Sequence, residues 1–150
     1  MDDNKDSIKL LIASALLLVF LVLYIKFSDT AILNKDMLKN LKYTTGTILT
    51  DRFYSKSTGD GYDYEFYTQK GIKEPHVDGN FIKGRKYLVV YDSVNIKNGF
   101  MILDDYDITD SLRKKNINEK EGWSIDKIPF GFDKRRLNEE VTGSIIEATK

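Results

Sequence analysis

A mainly β fold is what this sequence predicts: a small curled antiparallel sheet or SH3-like barrel, preceded by one transmembrane helix. Three observations predict it. An uncharged apolar block lies near the N-terminus, period-2 alternation sets in after residue 44, and glycine-bearing turns separate the short runs.

The block Leu10–Ile25 holds sixteen uncharged residues, twelve of them Leu, Ile, Val or Phe. With Ile8 and Phe27 it reaches about 20 positions, or ~30 Å of helix, which matches a hydrocarbon core. Lys9 and Lys26 near its ends can snorkel to headgroups. The start, Asp2, Asp3, Lys5 and Asp6, is acidic on balance, and Ser28-Asp29-Thr30 is a poor cleavage site, so an uncleaved single-pass anchor is expected over a signal peptide. The chain has no cysteine, which excludes acylation at cysteine, disulfides and thiol chemistry. Lys26, Lys35, Lys39 and Lys42 outnumber Lys5, Lys9 and the terminal amine narrowly, a count that leans toward a cytoplasmic C-terminal domain.

About 120 residues follow, enough for one domain. The expected division is a polar start at 1–7, the transmembrane helix at 8–27, an amphipathic stalk or helix at 28–43, a β-domain at 44–132 and an extension at 133–150. Ile32, Leu33, Met37, Leu38 and Leu41 recur at spacings of three and four and suit a short helix. Residues 47–54 read as a first strand, and Ser55–Gly61 as a turn with Asp60-Gly61 as its sharp point. In 62–70, Tyr62, Tyr64, Phe66 and Thr68 share one face while Asp63, Glu65, Tyr67 and Gln69 take the other. A one-residue slip would bury the acids, so the facing is strongly set. Pro75 makes 71–79 an edge segment. Lys86–Tyr91 is the most apolar strand, and Phe100–Leu103 reads as another.

Thr109 or Asp110 caps a short helix running to Lys115. Trp123, Ile125, Ile128, Phe130 and Phe132 lie in irregular chain expected to cover an open end of the sheet. Residues 135–150 alternate weakly as strand or helix.

The segment 46–104 resembles the small membrane-anchored β-domains of the Bacteroidetes group related to the DUF3592 family. Gly46-Thr47-Ile48, Tyr64-Glu65-Phe66-Tyr67, Gly84 before Lys86-Tyr87-Leu88-Val89-Val90-Tyr91, and Asn95 before Leu103-Asp104 carry the resemblance. Gly71 or Gly79 matches a glycine after the second strand; Asn95-Ile96 stands where the family often has Asn-Pro. The resemblance implies a curled β-domain beside a membrane and facing the periplasm, and it implies no reaction. It outweighs the lysine count, giving an inner-membrane protein with its N-terminus inside and its domain outside. Small anchored proteins of this appearance look like immunity proteins against secreted toxins.

Catalytic constellations are missing from the sequence. His76 is the only histidine, expected as an exposed loop residue beside Pro75. Nothing brings His76, Ser93 and Asp92 together as a triad, and no Gly-x-Ser-x-Gly elbow exists. Asp104, Asp105, Asp107 and Asp110 fail the calcium-loop pattern and read as a solvated acidic turn. No phosphate-binding glycine motif occurs, so neither cofactor nor metal is expected. Lysines and arginines total 23, as do acids, which removes long-range attraction to nucleic acid. The basic turns at Lys83, Arg85 and Lys86, at Arg113–Lys115 and at Lys134–Arg136 read as solvated surface, or as headgroup contacts where one faces a bilayer.

Tyrosine density is what solubility leaves unexplained. Tyr54, Tyr62, Tyr64, Tyr67, Tyr87, Tyr91 and Tyr106 belong to or flank expected strands. Tyr67 beside Asp63 and Glu65, with Tyr62 and Tyr106, forms the candidate protein-binding set; cross-strand packing on a partly covered second face is the alternative. The expected function is a membrane-anchored, non-enzymatic protein-binding domain whose partner is a toxin or a membrane-complex subunit. The alternatives are a scaffold in a membrane assembly, an unrecognised hydrolase or a lipid-headgroup-binding module.

Overall fold

The computed structural model describes residues 12–19, 33–115, 117–120 and 122–150. The chain divides into two units, Met1–Thr30 and Ala31–Lys150.

Of the first unit, residues 12–19 are helical with exposed side chains. The expected transmembrane helix at 8–27 is corrected here, because no helix among the described residues is long and apolar enough to cross a membrane. Residues 8–11 and 20–27 lie outside the described residues. The single-pass anchor, the inner-membrane location, the periplasmic domain and the membrane-complex partner all depended on that span, and they are corrected with it.

The second unit is built on seven strands: β1 (Leu41–Ile48), β2 (Phe53–Ser55), β3 (Gly59–Thr68), β4 (Gly71–Lys73), β5 (His76–Val77), β6 (Lys86–Asp92) and β7 (Phe100–Asp107). Their order is β2-β3-β1-β6-β7, with β4 and β5 also pairing β3, and every pairing is antiparallel. The sheet curls as an antiparallel half-barrel, so the expected curled sheet stands and the closed SH3-like alternative does not. Strand β1 is central, pairing β6 along Leu41–Thr47 and β3 along Gly46–Ile48.

Several expected elements move. Of the stalk or helix expected at 28–43, residues 28–32 lie outside the described residues; the rest holds a short 3-10 helix, Lys35–Lys39, with Asn34 accepting from the Asp36 amide, and Leu41–Tyr43 belong to β1. The run 47–54 splits between β1 and β2. Asp60 and Gly61 lie inside β3, and the hairpin turns just before Gly59, whose φ of 87° suits glycine. Strand β7 reaches Asp107, past the expected end at Leu103, with a register shift opposite Tyr87 and Leu88.

Side chains separate by strand parity. One face carries Ile48, Tyr64, Phe66, Tyr87, Val89, Tyr91 and Ile102, closed over by Phe81. Its rings meet at 5.0 Å (Phe81–Tyr87, edge-on) and 5.1 Å (Phe66–Phe100), contacts that add about 0.5–1.5 kcal/mol each beyond area burial. Gly46 lies on this face, where a Cβ would sit 2.5 Å from Val89 Cγ2, so only glycine lets the rings close over β1.

The opposite face carries Tyr43, Leu88 and Val90, covered by Met37, Ile108, Leu112, Trp123, Ile128 and Phe130 and by the last helix. Helix α1 (Thr109–Lys115) starts where Asp107 accepts from the Thr109 amide. Helix α2 (Lys134–Ala148) takes the place of the weakly alternating tail. Asp133 caps it by accepting from the Arg135 and Arg136 amides, and Leu137, Val141 and Ile145 form its wholly buried stripe. One apolar residue per turn at i, i+4, i+8 suffices once a sheet is there to bury it. Trp123 pairs by backbone with Tyr43 and sits edge-on to Phe130 at 5.6 Å, so the irregular chain covers the sheet as expected.

Candidate functional site

The helical cover packs on β1, β6 and β7, and no β3 residue belongs to its core. Strand β3 therefore keeps its second face half-buried at Asp63, Glu65 and Tyr67. Register places neighbours on that face: Phe53 opposite Gly61, His76 opposite Asp63, Thr47 opposite Glu65 and Ile72 opposite Tyr67. Phe53 and Ile72 are exposed, as is Leu49, whose amide donates to the Asp63 carbonyl. Acids, one tyrosine and exposed apolar side chains thus share one stretch of sheet.

Three of the five expected residues come together and two go elsewhere. Tyr62 turns to the aromatic face, edge-on to Phe81 at 5.7 Å and under the Arg52 guanidinium at 5.8 Å. Tyr106 sits at the other end of the sheet, where its hydroxyl donates to Glu140 on α2 and its ring meets Phe132 edge-on at 5.0 Å. Burial, then that carboxylate, pushes its phenol up to about 12.

His76 departs from its expected exposure: its side chain is only 9% exposed. Nδ1 lies 2.8 Å from Asp63 Oδ1, and the ring stands edge-on to Phe53 at 5.3 Å. Nε2 is buried without a hydrogen-bond partner among the described residues. A carboxylate-oriented imidazole is half of a nucleophile-activating set. The other half has no room, because a Cβ on Gly61 would lie 2.8 Å from Nε2 and 2.2 Å from the Val77 carbonyl oxygen. Asp92 and Ser93 are committed at the far end of β6. Asp92 accepts from the Val94 and Asn95 amides, and the Ser93 hydroxyl donates to the Asn40 carbonyl.

Most of the basic turn residues are paired. Arg85 binds Asp107 and Asp110, Lys83 binds Asp51 at 3.0 Å, and Lys86 reaches both Glu119 oxygens. The acidic run is accordingly divided: Asp107 serves Arg85 and Thr109, while Asp104 accepts from the Asn80 amide. Among the described residues no group of three or more His, Cys, Asp or Glu could hold a metal ion. Arg52 joins Asp60, Asp78 and the Gly79 carbonyl. The Gly79 amide, then Arg52, holds the Asp78 carboxyl below the ordinary carboxylate range.

One contact escaped sequence reasoning. The Lys120 ammonium lies over the Tyr67 ring, 5.5 Å from its centroid. More than fifty positions separate the two residues, and no spacing rule joins them.

The immunity reading rested on likeness to anchored proteins, and it is corrected along with the membrane-anchored protein-binding domain. Among the described residues no helix could span a membrane, and comparison with known proteins adds no support. No protein-family model, curated protein or solved structure matches the chain.

Proposed function

We propose that this domain works by non-covalent recognition on the half-buried second face of β3 and makes or breaks no covalent bond. The observation that carries the reading is the row Asp63, Glu65, Tyr67, left outside a helical cover that buries the neighbouring strands. Rigid aromatic area beside carboxylates, flanked by exposed Leu49, Phe53 and Ile72, suits a contact surface. The one carboxylate–imidazole pair supports the same view, since its free nitrogen is walled in by Gly61 and Val77.

The test is an NMR ligand screen on the full chain, spanning sugars, nucleotides, amines and peptides. The wild type is compared with a Glu65→Lys/Tyr67→Ala variant whose melting confirms its fold. Shifts expected at Thr47, Glu65, Tyr67 and Ile72 vanish in the variant. Binding that maps elsewhere and survives the double substitution overturns the proposal, as does turnover of any screened compound.

A further inference from the structure

We infer that the ligand of the β3 face is a linear organic polycation carrying several ammonium groups, and that Lys120 is its built-in competitor. This deepens the recognition reading and rests on it. The observation is the Lys120 ammonium held 5.5 Å from the Tyr67 centroid: the fold itself delivers a primary ammonium to this face. Its neighbour Glu119 is fixed by Lys86, whose Nζ lies 2.5 and 2.6 Å from the two carboxylate oxygens, so Lys120 projects from an anchored turn.

The rest of the row is acidic and incompletely used. The Glu65 carboxylate makes no ion pair or hydrogen bond with the described residues, and Asp63 engages His76 through Oδ1. Alternate residues of a strand repeat every ~6.8 Å, so Asp63, Glu65 and Tyr67 offer two carboxylates and a ring over about 14 Å. Two carboxylates attract two ammonium groups, a ring face attracts a third, and the flanking Leu49 and Ile72 suit the methylenes between them. A free polyamine, with charges several bonds apart on a thin chain, replaces the Lys120 ammonium over the ring like for like and reaches both carboxylates.

The experiment titrates spermidine into the full chain at low ionic strength, following amide shifts and heat. The proteins are the wild type, Lys120→Met, Glu65→Gln and Tyr67→Leu. Spermidine is expected to shift Thr47, Glu65 and Tyr67 and to bind about two- to fivefold tighter to Lys120→Met, the range of one exposed cation–π contact. Glu65→Gln and Tyr67→Leu weaken binding by a similar or larger factor, and added salt weakens it further. No shift in either the wild type or Lys120→Met overturns the inference. So does binding that is unchanged by Glu65→Gln, or that maps to Asp104–Asp110. A lysine-bearing peptide or an uncharged ligand that binds this face where spermidine fails would overturn the polyamine inference alone. Failure of the recognition proposal is separate: no ligand of any class responds to Glu65 or Tyr67.

Discussion

The His76 imidazole and the Asp63 carboxylate meet at 2.8 Å, directly across the β5–β3 pairing. That contact holds a two-residue strand that contributes few ladder bonds of its own. His76→Ala removes the hydrogen bond and the edge contact with Phe53. The expected cost is about 1–2 kcal/mol, with a melting temperature lower by several degrees. Asp63→Asn keeps an acceptor for Nδ1 and costs less. Equal melting temperatures for the wild type and His76→Ala would refute the structural role.

Gly46 lies directly under Val89, Ile102 and Tyr64 of the aromatic face. In Gly46→Ala the new methyl meets Val89 Cγ2 at 2.5 Å, Ile102 at 3.1 Å and Tyr64 at 3.3 Å, an overpacking expected to cost about 1–3 kcal/mol. Trimming Val89 to Ala in the same chain frees the closest of these atoms. Denaturant melts of both single variants and the double should give a loss smaller than the sum. Simple additivity would show that the clash relaxes elsewhere.

Asp92 is 1% exposed, and it accepts from the Val94 and Asn95 amides through one oxygen and from the Asn98 side chain through the other. This arrangement folds the β6–β7 connection. Asp92→Ala leaves three donors without their acceptor and is expected to cost about 2–3 kcal/mol, with Asp92→Asn costing less. Hydrogen exchange at Val94 and Asn95 should quicken first; unchanged protection there would reject the assignment.

Alkali should unfold the domain through its tyrosines. Burial raises Tyr43 and Tyr106 to about 12, and Tyr64 further in the same direction. A phenol whose folded pKa lies above the unfolded value of about 10 contributes stability that is full below pH 10 and lost as the pH rises through the folded value. Absorbance at 295 nm should therefore show a late phase above pH 11 coincident with loss of the circular dichroism of the sheet. A single phase near pH 10 with the sheet intact would contradict it.

Period-2 alternation over Tyr62–Thr68 and the continuous apolar run at β6 determined a good part of the fold without tertiary information. Side chains alternate at every second residue whatever the partner strand is, so Asp63, Glu65 and Tyr67 had to share a face. Pro75 likewise marked the break between β4 and β5, whereas Gly61, expected at the point of a turn, lies inside β3. Tertiary contacts decided the rest. Helix α2 was illegible because Leu137, Val141 and Ile145 give a narrow stripe in a charged segment, stable only against Tyr43, Leu88 and Val90. The apolar block at 10–25 argued for a span from hydropathy alone, whereas among the described residues no helix is long and apolar enough to cross a membrane. His76 looked exposed beside proline until β5 paired with β3 and Gly61 made room for its ring. Lys120 came to Tyr67 from across the chain for the same reason. Strand parity is a local property of the backbone, but which face stays open depends on what packs against it from far along the chain.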